Sequence, residues 1–250
     1  MDMLENKVAI VTGGGSGIGR EIALKFAIEG AKVVVSDLNE DGGGQTVAQI
    51  KALHGNAIFF KSNSAIPSDC ESLVKEATSR FGALHIAVNN AGIGGASIPT
   101  GEYPIEEWNK VLSVNLSGVF YGMRYQIPAL LKSGGGSIVN IASILAQVGF
   151  PGSVAYVAAK HGVVGLTQNA ALEYASKKIR INSIGPGFIK TPLIEKNMSP
   201  EAIQELAGMH PIGRLGEAAE VAELALWLSS EKASFVTGSY YPIDGGYLAK

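Results

Sequence analysis

Tyr156 and Lys160 stand one helical turn apart in Tyr156-Val-Ala-Ala-Lys160, and Ser143 lies 13 residues before the tyrosine, just past a β-branched run. A spacing of four puts the phenol and the ammonium on one face of a helix. A free tyrosine, with a pKa near 10, is a poor base at neutral pH. A neighbouring cation favours phenolate, and a lowering of ~3 units corresponds to about 4 kcal/mol. Such a phenol can exchange a proton with a substrate oxygen while hydride moves at the adjacent carbon. Asn115, inside the apolar-periodic stretch Ile105–Leu131, is a fourth polar group in the same part of the chain. A Tyr-x-x-x-Lys match is also what a surface lysine beside a packed tyrosine looks like, so its weight comes from the rest of the sequence.

Thr12-Gly-Gly-Gly-Ser-Gly-Ile-Gly19 directly follows the apolar run Val8–Thr12 and opens a helical pattern at Gly17. Small residues let backbone approach a diphosphate, and the first N–H groups of the helix stabilise its charge. A triphosphate loop would need Gly-Lys-Ser/Thr, whereas Gly19 is followed by Arg20 and Glu21. The common G-x-G-x-x-G spacing also fails, because glycines at 13 and 15 would call for one at 18, which is Ile18. Asp37 comes 18 residues after Gly19, at the end of the second apolar run, where a carboxylate can accept from a ribose hydroxyl and repel a 2′-phosphate. The alternative is that Asp37 caps a helix starting near Asn39. His54, His85, His161 and His210 match no metal-ligand spacing, so no metal is expected; His210 borders the region that would face substrate.

The elements that must carry these groups are legible as an alternation. Val8–Thr12, Lys32–Ser36, Ala57–Lys61, His85–Asn89, Ser137–Ile141 and Arg180–Ile184 read as strands. Gly17–Glu29, Ser68–Phe81, Ile105–Leu131, Val154–Ala175 and Ala218–Ser229 show apolar residues at spacings of three and four and read as helices. The expected fold is α/β: a single doubly wound domain over 1–250 with a parallel sheet buried on both faces, as the unbroken apolar strands require. Gly42–Gly44 and Gly134–Gly136 read as loop or helix-end punctuation. The alternation pauses over 191–216, an amphipathic insertion placed to form a small substrate lid beyond the carboxyl ends of the strands.

Composition narrows the classes. The chain of 250 residues has a formal net charge of −2 and 46% hydrophobic residues, with no basic run, so neither nucleic acid nor a membrane surface is favoured. Met1–Lys7 lacks a signal peptide's basic and apolar regions, and Cys70 is the single cysteine, so a cytoplasmic protein with a structural thiol is expected. The 32 glycines, about 13% against a usual ~7%, lack collagen's period and fall in part at strand ends.

Taken together, Thr-Gly-x-x-x-Gly-x-Gly, Asn89-Asn-Ala-Gly92, Ser143, Tyr156-x-x-x-Lys160 and Pro186-Gly187 resemble the classical short-chain dehydrogenase/reductase family over essentially the whole chain. The resemblance implies a Rossmann fold with a seven-stranded sheet and roles for these residues. Tyr156 is the general acid in carbonyl reduction and the base in alcohol oxidation; Ser143 donates to the developing oxyanion; Lys160 binds the nicotinamide ribose and shifts Tyr156; Asn115 holds a water in the proton relay. The cationic nicotinamide ring adds to the pull toward phenolate. Cofactor contacts are implied at Gly13, Ser16, Gly17, Ile18, Gly19, Asp37, Leu38, Asn63, Ser64, Asn89, Ala91, Gly92, Tyr156, Lys160, Pro186, Gly187, Ile189 and Thr191. Members that prefer NADP commonly carry a basic residue where this chain has Ser16 or Leu38, so NAD(H) is expected over NADP(H). Where the family often has an aspartate beside adenine, this chain has Asn63 and Ser64.

Substrate-facing candidates are Ser143, Ile144, Leu145, Phe150, Val154 and Tyr156, with Leu193, Ile194 and Leu206 from the insertion. They are mostly apolar and include no arginine cluster, so a neutral hydrophobic ketone or secondary alcohol suits them. The expected activity is NADH-dependent carbonyl reduction, or in reverse secondary-alcohol oxidation. A 3-oxoacyl carrier-protein reductase or a hydroxysteroid dehydrogenase is the enzyme alternative, and a nucleotide-sensing protein without turnover is the non-enzyme one. A homotetramer is implied by the resemblance, with Ile105–Leu131, Val154–Ala175 and the tail from Ile243 to Leu248 as its contacts.

Overall fold

The computed structural model of the chain describes residues 2–192 and 199–250. Seven parallel strands form one sheet: β1 (Val8–Thr12), β2 (Lys32–Asp37), β3 (Asn56–Lys61), β4 (Ile86–Asn89), β5 (Gly136–Ile141), β6 (Ile179–Pro186) and β9 (Tyr240–Ile243), in the order β3-β2-β1-β4-β5-β6-β9. Two further short strands, β7 (Ile189–Lys190) and β8 (Gly216–Glu217), pair with each other outside that sheet. The strand order reverses between β1 and β4, so a crevice opens at their carboxyl ends.

Successive residues of each strand point to opposite faces, and both faces are covered. Ala9, Val11, Val33, Val35 and Val139 pack with Ile22 and Phe26 of α1 (Gly17–Ile28), Ile50 of α2 (Glu40–Ala52) and Leu226 of α8 (Ala218–Ser229). Ile10, Val34, Ala87 and Ile138 pack with α3 (Pro67–Phe81), α5 (Gly118–Lys132) and α6 (Val154–Tyr174) through Leu73, Met123, Leu130 and Val163. Full burial on both sides is the reason these strands carry no polar alternation.

Two expectations are corrected. The Gly42–Gly44 triplet lies inside helix α2, not in a loop. The helix packs so close to β3 that a Cβ on Gly43 would overlap the ring of Phe59, while one on Gly42 would stand 2.9 Å from the carbonyl oxygen of Gly15. Packing overrides the poor helix propensity of glycine here. The stretch read as one helix, Ile105–Leu131, is α4 (Ile105–Leu112) and α5 joined by a π-helical turn over Ser113–Ser117, centred on Asn115. The sheet's last strand, β9, takes in Ile243 at the start of the tail, with Pro186 opposite it.

Segment 191–216 leaves and rejoins the fold through the β7–β8 pair, with Ile189 opposite Gly216, and carries helix α7 (Pro200–Gly208). Leu193 and Ile194 lie outside the described residues. Among the described residues no helix is long and apolar enough to cross a membrane.

Candidate active site

A cleft of about 600 Å³ opens at the carboxyl ends of β1, β2, β4, β5 and β6. Its floor is set by a clasp between β1 and the segment after β4. Thr12 Oγ1 accepts the N–H groups of Asn90 and Ala91 at 3.0 and 3.1 Å, and Asn90 Nδ2 donates to the carbonyl oxygen of Thr12 at 2.9 Å. Gly19 lies under the loop and does not line the cleft; a Cβ there would overlap the carbonyl oxygen of Gly13, so it makes room for the loop to sit on α1.

At the head of α1, Ser16 is the extended N-cap and its side chain makes no capping bond, so the first-turn N–H groups face the cleft without a side-chain acceptor. Arg20 braces the loop from behind, donating to the carbonyl oxygen of Gly15 and, through Nε, to Thr46 Oγ1 at 3.1 Å. Asp37 is not the cap of α2: Asn39 holds that place and accepts from Gly42 N–H at 3.0 Å. The Asp37 carboxylate instead accepts the N–H groups of Gly15 and Asn39, at 2.8 and 2.9 Å, on the cleft wall beside Leu38. Asn63 Oδ1 accepts from Ala65 N–H at 3.0 Å, which leaves its amide nitrogen as the freer group toward an adenine.

Lys160 is 4% exposed and donates from Nζ to the carbonyl oxygen of Ile141 at 2.7 Å. Burial lowers its pKa to about 8. The ammonium lies 5.5 Å from the ring centre of Tyr156, on one face of α6 as the spacing requires. Burial raises the Tyr156 pKa, opposed by a hydrogen bond from Ser143. Among the chain's own groups desolvation of the phenolate is the larger influence, while the Lys160 ammonium is turned to a backbone carbonyl. Ser143 Oγ accepts from Leu145 N–H at 3.1 Å, leaving its proton to donate. Tyr240 on β9 donates to the carbonyl oxygen of Ser143 at 3.0 Å; burial pushes that phenol up to about 12.

Of the residues expected to contact cofactor or substrate, Gly13, Ser16, Gly17, Ile18, Asp37, Leu38, Asn63, Ser64, Ala91, Gly92, Ser143, Ile144, Leu145, Phe150, Tyr156, Lys160, Pro186, Gly187, Ile189 and Thr191 all line this one cleft. Asn89, Asn115, Val154 and Leu206 do not. Asn89 faces the helix side of the sheet, 4% exposed, donating to Gln126 and Asn140 at 3.1 and 2.9 Å. Asn115 is fully buried and spends its amide on the backbone of one residue, accepting from Ile93 N–H and donating to Ile93 O, both at 2.8 Å. It stands behind the lining residues Gly92 and Ile93. Val154 lines a separate hollow with Tyr103 and Trp108, and Leu206 is the buried anchor of α7. The sequence reading missed Ser62, Ile93, Val114, Ile141, Ala142, Ser153, Phe188 and Pro192 on the lining. Phe188 follows Pro186-Gly187 directly, a signal within reach; Val114 is presented by the π-helical turn, which no periodicity announces.

A doubly wound sheet with a glycine loop, a carboxylate at the end of β2 and a Ser-Tyr-Lys cluster in one cleft defines a dinucleotide-binding oxidoreductase. The family described as enoyl-(acyl carrier protein) reductase matches residues 13–248. Cyclohexanol dehydrogenase of Acinetobacter sp. (strain SE19) is 53% identical over 245 residues, covering 98% of this chain and 96% of that protein. A crystal structure of levodione reductase superposes with a TM-score of 0.96 at 38% identity, covering 98% of this chain and 99% of the other. Carveol dehydrogenase from Mycobacterium avium in complex with NAD gives 0.95 at 26% identity over all of both chains. The chain belongs to the short-chain dehydrogenase/reductase family, and it is a nicotinamide-dependent oxidoreductase.

Proposed function

We propose that the protein is an NADH-dependent reductase of neutral, apolar ring ketones and, in reverse, a dehydrogenase of the matching secondary alcohols. The observation that carries the reading is the content of the cleft. Beyond Tyr156 its lining is Ile93, Ile144, Leu145, Phe150 and Phe188, and its only charged residues among those described are Asp37 and Lys160. Nothing there grips a carboxylate or a phosphorylated carrier, which disfavours the 3-oxoacyl carrier-protein alternative. The names of the cyclohexanol and levodione enzymes support a ring substrate.

The residues present fit the cofactor: uncapped N–H groups at α1 suit a diphosphate, and Asp37 suits an unphosphorylated ribose. When bound, the nicotinamide exchanges a hydride with the substrate carbon. Tyr156 gives its proton to the carbonyl oxygen in reduction and takes one from the hydroxyl in oxidation. Ser143, fixed by Leu145 and Tyr240, donates to that oxygen as charge builds on it. Lys160 holds the nicotinamide ribose from its seat on Ile141 and adds positive charge near the phenol. Asn115 positions Ile93. Ketone, NADH and one proton give alcohol and NAD.

Residues 191–216 serve as the lid, with Leu206 anchoring α7 and Thr191 at the nicotinamide end. The protein works in the cytoplasm as a homotetramer, whose contacts include the exposed apolar residues Phe120 on α5, Leu172 on α6 and Phe235 before β9. Absorbance at the NADH band with a panel of cyclic and open-chain ketones, each with NADH and NADPH, tests the reading. Turnover confined to NADPH, or to acyl thioesters, would overturn it.

A further inference from the structure

His210 lies behind the cleft and is 3% exposed. Its Nε2 accepts the backbone N–H of Phe188 at 3.2 Å, and its Nδ1 is 2.6 Å from the carbonyl oxygen of Asp244. A ring nitrogen that accepts carries no proton, so the ring hydrogen is on Nδ1 and donates to Asp244. One imidazole thereby ties the turn after β6 to the tail after β9. The fit is tight: a Cβ on Gly187 would overlap the imidazole Cε1, so only glycine passes that point.

The tie is continuous with the cleft. Phe188, which lines it, meets Phe150 edge-on at 5.8 Å and His210 at 5.7 Å, and Tyr247 completes the cluster 5.6 Å from His210. The tail is fastened independently. The Asp244 carboxylate accepts from Gly246 and Leu248 N–H, both at 2.9 Å, and Lys250 Nζ donates to the carbonyl oxygen of Met209 at 2.6 Å.

Building on the ring-ketone reading, we infer that His210 is a positioning residue for substrate: without touching substrate or cofactor, it fixes Phe188 as one side of the space that receives the ketone ring. A buried N–H that loses its acceptor is strongly disfavoured, so removal of the imidazole makes the Gly187–Phe188 turn settle differently. A substrate ring that packs on Phe188 senses the change; a small open-chain ketone, which does not fill that space, does not.

The test uses the full chain with NADH and two ketones, cyclohexanone and propanone, in His210→Leu, His210→Gln, His210→Asn, Phe188→Ala and the His210→Leu/Phe188→Ala pair. Leucine offers no acceptor. Glutamine reaches the Phe188 N–H with its amide oxygen, and asparagine is too short. His210→Leu raises KM for cyclohexanone about five- to tenfold, with kcat and the KM values for propanone and NADH within about twofold. His210→Gln restores most of the loss, and the leucine change adds nothing once Phe188 is alanine. If His210→Leu does not fold, the contrast between glutamine and asparagine decides. A lowered melting temperature with an unchanged cyclohexanone KM, equal effects of glutamine and asparagine, or additivity in the double variant overturns the inference while leaving wild-type ketone turnover, and so the functional reading, intact. No turnover of any ketone by the wild type brings down both.

Discussion

The carboxylate of Asp37 accepts the N–H of Gly15 at 2.8 Å, which makes the residue expected to meet the adenosine ribose also a brace of the glycine loop. The two duties share one side chain because β2 ends beside the loop and α2 crowds it from above. Replacing Asp37 with alanine therefore does more than remove a ribose contact. KM for NADH rises about tenfold, and with Leu38→Arg added the preference in kcat/KM moves at least about tenfold toward NADPH. An unchanged NADH to NADPH ratio in the double variant removes Asp37 from the cofactor account.

Lys160 gives a stability prediction whose sign follows from its pKa of about 8. The folded state disfavours the charged lysine, so folding is penalised wherever the unfolded lysine is protonated and the folded one must be too. That penalty is full below pH 8 and is relieved between about 8 and 10.5, where the unfolded chain binds more protons. Lys160→Met is thus more stable than wild type at pH 7, by ~1–3 kcal/mol after the lost bond to Ile141 is discounted. The difference fades by about pH 10.5. Urea unfolding at a series of pH values checks it, and a gap that widens with rising pH would contradict the burial argument.

Two adjacent glycines of α2 behave oppositely. Gly43→Ala forces a methyl against the ring of Phe59 and costs about 1–3 kcal/mol, whereas Gly44, with nothing within 4 Å of its would-be Cβ, gains roughly 0.5–1 kcal/mol as alanine. Thermal melts of the two variants should move in opposite directions. Equal shifts would mean that α2 does not sit on β3 as described.

Phe150 lines the cleft in edge-on contact with Phe188, their rings 5.8 Å apart. Phe150→Ala raises KM for cyclohexanone about five- to thirtyfold through lost apolar contact and leaves KM for NADH near wild type. A matching rise for NADH would relocate Phe150 to the cofactor end.

What the sequence makes legible follows from what is local. Strands buried on both faces show as unbroken runs such as Lys32-Val-Val-Val-Ser36, and a phenol and ammonium on one helix face follow from a spacing of four. Asn115, Asn89 and Gly43 are less legible for a different reason: their contacts are with partners 22, 37 and 16 residues away, in Ile93, Gln126 and Phe59. No periodicity encodes such a partner. His210 is the clearest case, since the groups it joins, Phe188 and Asp244, lie 22 and 34 residues from it on either side.

The central claim is that the phenol of Tyr156 exchanges the proton at the substrate oxygen. Its most direct test is Tyr156→Phe, which keeps the ring and removes only the hydroxyl. NADH binding, followed by its fluorescence, should stay within about threefold of wild type while kcat for cyclohexanone falls by at least about a thousandfold, the range expected for loss of a general acid at an otherwise intact site. Turnover in the phenylalanine variant equal to wild type would contradict the account.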